Sequence, residues 1–213
     1  MEIVENKKYY HIHRSNLLEV GKTIFIGKEK NNFNGYFDKF GHNYKSAITG
    51  ENINSYIIAD KMAEFTTSNI KNQYLEKHFS YDKDETIRHL ANTLSHYLKF
   101  SREQLFEEVR QEFFSNYPSR NKCLWIIPND KNAVNYWWNT LGQKGKIYEI
   151  NVSGKVHQAS QQYLDLSTNS FDCIREQAFK YWTATTGTNK IEDECLFEGF
   201  VNVVTEKTIA DFK

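Results

Sequence analysis

The sequence predicts an α+β fold, in which short strands alternate with helices and the C-terminal half is rich in strand. Three observations carry this reading. Residues 8–14 and 146–152 alternate side chains with a period of two, as half-buried strands do, and 23–26 is a further short apolar stretch. Ile87, Leu90, Leu94 and Leu98, and then Leu105, Val109 and Phe113, recur at helical spacing. Neither a GxGxxG nor a GxxxxGK[ST] fingerprint is present, so nothing points to a parallel dinucleotide-binding or phosphate-loop βαβ unit.

The 213 residues fit one domain, 1–213, with enough chain for a substantial core. Lysine plus arginine and aspartate plus glutamate total 27 each. No global field therefore draws the chain to nucleic acid or to an anionic membrane, although a local basic patch stays open. Cys123, Cys173 and Cys195 are odd in number and far apart. That is no disulfide framework or zinc ribbon, and a reducing cytoplasm is expected. The opening Met1 to Glu5 lacks the apolar core of a signal peptide. No apolar run approaches about 18 residues, so no membrane span is expected.

In order, residues 8–14 form the first strand. Ser15 is placed to cap a short turn ended by Gly21, and 23–26 form the second strand. Residues 27–50 read as a long Gly- and Asn-rich loop with Phe33, Tyr36, Phe37, Phe40 and Tyr44 among lysines. Such a loop either tucks its aromatics beneath itself or offers them to an acceptor, nucleic acid included, by stacking. Residues 52–76 read as mostly helical. One helix follows over 84–99, and Ser101 with Gln104 matches a capping box that would start another, reaching about residue 115. Together they predict a helical hairpin, about 84–116, inserted into the domain, with His78, His89 and His96 at its surface or boundary. Pro118 closes this segment. Then come a strand at 122–128, a helix at 133–140, a turn from Gly142 to Gly145 and a strand at 146–152. Gly154 is expected to begin a polar connection. A helix at 171–185 buries Ile174, Ala178, Phe179 and Trp182, and Gly187 stops it. Two last strands are expected at 194–197 and 199–205.

The stretch from Lys122 to Trp137 is a strand, a Pro-Asn-Asp turn and a helix start. It lets Trp125 on the strand and Tyr136 on the helix face one another across a slot suited to a flat, cationic ring, although core packing would use the same aromatics. His11 and His13 share one strand face. An HxH pair can begin a metal site, but no HExxH or HxHxDH follows, and no metal is expected. Glu192, Asp193 and Glu194 open a late strand, and Arg120 precedes the central one.

These motifs carry a resemblance. Residues 10–21, with His11, then Asn16, Leu17 and Gly21, resemble the opening of DNA-targeting ADP-ribosyltransferase toxins. Trp125 and Tyr136, with Ala133 three before the tyrosine, resemble the second motif of the diphtheria-toxin and poly(ADP-ribose) polymerase branch, which has two tyrosines at that separation. Glu194 leading a late strand resembles the third motif. Residues 118–124 also look like an uncharacterised bacterial family grouped with ADP-ribosyltransferases. The chain departs from the pattern in Trp125 for tyrosine, in His13 for a small residue and in the 84–116 helices. The alternative Arg–Ser-Thr-Ser–Glu-x-Glu pattern, on Arg14, Thr66 to Ser68 and Glu192 with Glu194, is a second match, weakened by the length of chain between Ser68 and Glu192.

The resemblance implies a split β-sheet core and an NAD-dependent mono-ADP-ribosyltransferase, a toxin or phage-defence effector with NAD as substrate. Glu194 would be the catalytic carboxylate, orienting a ribose hydroxyl beside an oxocarbenium-like transition state. Trp125 and Tyr136 would clamp the nicotinamide, His11 would bind the adenosine ribose, and the Ile12 backbone would hold the carboxamide. Arg120 would bind the pyrophosphate or activate the acceptor. The partners implied are a macromolecular acceptor, RNA or DNA by the nearest likeness, and an antitoxin protein, with no membrane. The neutral net charge weighs against a tight nonspecific grip on nucleic acid. An NAD glycohydrolase and an inactive binding module of the same fold are the alternatives.

Overall fold

The computed structural model describes residues 1–14, 18–39, 43–46, 49–64, 69–73, 83–165, 170–184 and 190–213. In chain order the elements are β1 (Glu2–His13), β2 (Thr23–Ile26), α1 (Asn32–Lys39), β3 (Asn43–Lys45), β4 (Asn52–Asn54), α2 (Ser55–Glu64), α3 (Lys83–Phe113), β5 (Leu124–Pro128), α4 (Lys131–Thr140), β6 (Lys146–Ala159), α5 (Phe171–Trp182) and β7 (Glu194–Lys207). Short 3-10 turns lie at Gln161–Leu164, Lys190–Glu192 and Ile209–Phe212. The chain divides into two compact units, one of Met1–Gly35 with Arg102–Lys213, the other Tyr36–Ser101. The fold is mixed α and β with an antiparallel sheet, as the period-two and helical patterns predict.

The larger unit is organised by two 14-residue strands, β6 and β7, paired along their length. β6 also pairs along β1, and β5 closes the circuit. Its Leu124–Ile126 segment pairs with β7, and its last two residues pair with Tyr9 and Tyr10 of β1. Strands β1, β5, β7 and β6 thus form an antiparallel ring, which removes the edges an open sheet would expose. Where β5 leaves β7, β2 takes over the same edge at Gly199 to Asn202.

That handover requires glycine. Gly154 and Gly199 face each other across β6 and β7 at φ 155° and 143°. A Cβ on Gly154 would lie 2.2 Å from the Glu198 carbonyl oxygen, and one on Gly199 would lie 2.4 Å from that of Ser153. The sequence reading takes each glycine as a break. The structure corrects this: β6 runs through Gly154 and β7 through Gly199, because here glycine permits close backbone approach rather than ending a strand.

Three apolar clusters fill this unit. Tyr9, Ile126, Ile150, Val152, Phe197 and Val201 pack together from the strands of the ring. Phe106 and Val109 of α3 meet Ile174, Ala178, Tyr181 and Trp182 of α5 with Leu196. Tyr10, Ile12, Ile127, Val134 and Phe212 pack α4 and the C-terminal turn. Trp182 is fully buried and its Nε1 donates to the Phe106 carbonyl at 2.7 Å, which fixes α5 to α3. Of the four residues expected to be buried on α5, Phe179 is exposed, and the neighbouring Tyr181 is buried instead.

The expected hairpin at 84–116 is one unbroken helix of 31 residues. No glycine or proline interrupts it, so the match at Ser101 and Gln104 lies in its interior and caps nothing. The expected loop at 27–50 contains α1 and β3, and 52–54 is a strand before α2 begins. Within the smaller unit β3 pairs with β4, Ser55 meets His89 Nε2 at 2.7 Å, and His96 is buried against Phe37 rather than at the surface. Ser15, Thr66 to Ser68, His78 and Gly187 lie outside the described residues.

Gly154→Ala and Gly199→Ala are each expected to lower stability by about 2–3 kcal/mol, because the added Cβ meets a carbonyl at a φ that alanine avoids. Urea unfolding of the two variants checks this. A loss below about 0.5 kcal/mol at both positions contradicts the close-approach reading.

Candidate functional site: a cavity walled by β1, β5 and β7

Beyond Tyr10, β1 has no register partner in β5. Both strands there line a cavity of about 960 Å³, to which β7 contributes its first residues and the segment after β2 a further wall. That volume lies in the range of small-molecule sites. His11, Ile12, Arg120, Trp125 and Glu194 all line it. Tyr136 does not. Its hydroxyl instead accepts from Gln161 Nε2, and the residue of α4 that lines the cavity is Trp137.

His11 bridges the strands where the ladder ends. Its Nδ1 meets the Trp125 carbonyl at 2.8 Å, and its Nε2 meets His13 Nδ1 at 3.0 Å. A carbonyl can only accept, so Nδ1 carries the proton and Nε2 accepts from His13. Burial pushes the His11 pKa down to about 4, opposed in part by the Trp125 carbonyl and aided by His13. Burial lowers His13 as well. Both rings are neutral at pH 7, and each has one fixed tautomer. The Ile12 side chain points away into the cluster with Ile127 and Phe212, while its backbone pairs with Ile147.

Arg120 sits in the turn before β5, and that turn is held from three sides. The Ser119 N–H donates to Glu198 at 2.7 Å, the Ser119 hydroxyl to Glu107 at 3.0 Å, and Asn31 Nδ2 to the Arg120 carbonyl at 2.7 Å. The Arg120 side chain is 2% exposed. Its guanidinium donates to both Glu103 oxygens, at 2.8 and 3.3 Å, to the Tyr181 hydroxyl at 2.7 Å and to Glu194 Oε2. It also lies over the rings of Phe106, Trp125 and Tyr181 at 5.1–5.9 Å. The Tyr181 hydroxyl accepts from Arg120 and donates to Glu194 at 2.9 Å.

Burial alone would lower the Arg120 pKa, but Glu103 and Glu194 more than offset it and raise it well above the usual range. Burial would likewise raise Glu103, and Arg120 with Arg102 holds its carboxyl below the ordinary value. Glu103 is fully buried, whereas the Glu194 side chain keeps 12% exposure and lines the cavity. The result is a carboxylate presented to a cavity and held from behind by a buried cation.

The Trp125 ring is half-buried, with Phe33 edge-on to it at a centroid distance of 5.6 Å. Sequence reasoning missed Glu103, Tyr181, Trp137 and Asn31. Glu103 hides among the charges of a helix that reads as solvated, and Tyr181 adjoins the apolar Trp182 that defines the stripe. Among the described residues no three His, Cys, Asp or Glu side chains come together as a metal site, and no helix is long and apolar enough to cross a membrane.

Residues 9–211 match a family described as "Protein of unknown function (DUF2441)". The chain belongs to this family. No curated protein matches it. The family match covers every element that builds the cavity, from His11 on β1 to Glu194 on β7.

Two buried histidines set an acid dependence. His157, fully buried and stacked on Trp182, is pushed by burial to about 4, as His11 is. Because both folded-state values lie below the ordinary 6.5, the unfolded chain takes up the protons first. The stability is complete above about pH 6.5 and is lost as pH falls toward 4, by up to about 3 kcal/mol per histidine. His157→Gln and His11→Gln should each flatten the fall between pH 6.5 and 4 in denaturant titrations. Slopes equal to wild type would show that the rings do not titrate in this way.

Proposed function

We propose that this chain is an NAD-dependent mono-ADP-ribosyltransferase of the His-Tyr-Glu branch, with the split-sheet core of that superfamily, acting in the cytoplasm as a toxin or defence effector. The observation that carries the reading is that a histidine, an aromatic and a glutamate from three neighbouring strands, β1, β5 and β7, line one cavity of about 960 Å³. The motifs that resemble this branch in sequence are the ones that supply these side chains.

The chemistry follows from the residues. Trp125 offers an electron-rich face to the cationic nicotinamide. As the nicotinamide–ribose bond breaks, nicotinamide leaves neutral with the bonding electrons, and positive charge develops on the ribose. Glu194 is the carboxylate that faces it and orients a ribose hydroxyl. The acceptor nucleophile then bonds to the anomeric carbon and releases its proton. His11, neutral and fixed in one tautomer, is suited to bind ribose rather than to act as an acid. Buried and committed to Glu103, Tyr181 and Glu194, Arg120 is assigned to holding Glu194 rather than to gripping the pyrophosphate. Trp137 is assigned the aromatic place that the sequence gives to Tyr136.

Nicotinamide release from NAD by purified protein, with and without RNA, DNA and protein fractions, tests the reading. Release that depends on one fraction and falls at least about 100-fold in Glu194→Gln is expected. Equal release without any acceptor would make the protein a glycohydrolase. No release and no NAD binding would overturn the reading in favour of an inactive binding module.

The aromatic assignment is separable. Trp125→Ala and Trp137→Ala should weaken NAD binding by roughly 10-fold each, about 1.4 kcal/mol, while Tyr136→Ala leaves it within about twofold in calorimetry. Weakening by Tyr136→Ala with Trp137→Ala unchanged would return the clamp to Tyr136.

A further inference from the structure

The Glu194 carboxylate is part of a charge cluster that neither the motifs nor the cavity lining makes visible. Arg120 reaches Glu194 through a single nitrogen, Nη1, and the same nitrogen also donates to the Tyr181 hydroxyl. The other two guanidinium nitrogens, Nε and Nη2, both donate to Glu103. Glu103 in turn accepts from Arg102 at 2.8 Å, and Arg102 Nη1 donates to the Leu164 carbonyl at 2.6 Å. Two cations therefore face two anions, one of which, Glu103, is fully enclosed, while the other, Glu194, reaches the cavity.

We propose that Glu103 and Tyr181 are positioning residues for Glu194: Glu103 divides the charge of Arg120, so that Glu194 is held in place without being neutralised, and Tyr181 fixes its Oε2 by a neutral hydrogen bond. The assignment of Glu194 as a catalytic group rests on the transferase reading above; the clamp itself does not. An arginine that spent its whole fork on Glu194 would cancel the negative charge a developing ribose cation needs. With two of its three nitrogens committed to Glu103, the guanidinium gives Glu194 one bond and a fixed direction. The Tyr181 hydroxyl, aligned by accepting from Arg120, supplies a second bond without adding charge.

The two residues act on Glu194 in different ways, one through the charge on Arg120 and one by direct hydrogen bonding. The groups around that carboxylate are Arg120 and Cys123 from the turn into β5, Tyr181 from α5, Glu103 and Arg102 from α3, and Asp193 and Cys195 beside it in sequence. Burial pushes both thiols and the Tyr181 phenol upward, to about 12 for Cys195, so all three stay neutral in the working range. Burial raises Asp193 too, with Gln158 opposing; it remains unchanged in the variants below. Removing the Glu103 charge leaves Glu194 as the remaining anion on Arg120 and frees the guanidinium fork to turn toward it. Removing the Tyr181 hydroxyl takes away the neutral donor and leaves the carboxylate on the bond from Arg120.

The test compares crystal structures of wild type, Glu103→Gln, Glu103→Asp and Tyr181→Phe, with nicotinamide release followed on the same proteins. In Glu103→Gln the Arg120 fork should turn to Glu194 and pair with both its oxygens, in Tyr181→Phe the Glu194 carboxylate should rotate from its wild-type position, and Glu103→Asp should restore the wild-type arrangement. In Glu103→Gln and Tyr181→Phe kcat should fall at least about 10-fold with KM for NAD within about twofold, and recover in Glu103→Asp. A Glu194 carboxylate that keeps its place and its single bond to Arg120 in both variants overturns the proposal. If Glu103→Gln does not fold, the Tyr181→Phe arm decides alone. If the carboxylate moves as stated but wild type releases no nicotinamide, the clamp stands and the transferase reading fails. If wild type releases nicotinamide and the carboxylate does not move, the reading stands and the clamp fails.

Discussion

The candidate site depends on one buried guanidinium. Arg120 is a charge taken out of water, a cost of several kcal/mol that only well-placed partners can offset. Its partners come from three places far apart in the chain: Glu103 on α3, Tyr181 on α5 and Glu194 at the head of β7. A buried arginine with acceptors on every side is intolerant of displacement, because moving any partner strands a charge in an apolar pocket formed by Phe106, Trp125 and Tyr181. The cost of burying the charge is thereby converted into geometric definition. β7 begins where it does, and its first carboxylate faces the cavity, because the guanidinium behind it admits few other arrangements.

The strand ring supplies the opposite wall by a similar economy. β5 is short and shared, giving its first residues to β7 and its last two to β1. Such a strand cannot cover the whole edge of β1, and the uncovered stretch begins at His11. The Trp125 carbonyl faces that gap, and the His11 ring satisfies it. One side chain thus repairs the end of a ladder and lines a cavity. The second histidine, His13, fixes the tautomer of the first. Burial keeps both imidazoles neutral, so this wall offers the cavity hydrogen-bonding rings without charge.

Much of this was legible in the sequence, and the gaps have physical causes. The strand at 146–152 shows itself because its side chains alternate, whereas around His11 both faces of β1 are buried, from Tyr9 to Ile12. Trp125 and Glu194 could be named from motif spacing, and both line the cavity. Tyr136 could not be separated from Trp137, because adjacent helix residues differ by about 100° in direction and the rotation of α4 is set by packing against Ile127 and Phe212. Gly154 and Gly199 read as breaks because a sequence does not show that two glycines face one another across strands. Glu103 was invisible for a deeper reason: an acidic residue on a polar helix looks solvated, and only the partner, 17 positions on, makes it a buried one.

That same helix shows why the capping-box match at Ser101 and Gln104 misled. A break there would free the last three turns of α3 to rotate, and those turns carry the support of the site. Glu103, Phe106, Glu107 and Arg110 recur at three- and four-residue steps and so share one face. Glu103 binds the Arg120 guanidinium, Phe106 packs beneath it and accepts from Trp182, Glu107 holds the Ser119 hydroxyl, and Arg110 donates to the carbonyls of Ser115 and Tyr117. The segment from the end of α3 to the start of β5 is therefore laid back along the helix that precedes it, residue against residue. The single face that fixes Arg120 also fixes α5 through Trp182, and with it the Tyr181 hydroxyl. Cation and phenol reach Glu194 from different elements, yet both take their positions from one helix, and this is what lets one ion pair and one neutral hydrogen bond hold a carboxylate at the edge of an open cavity.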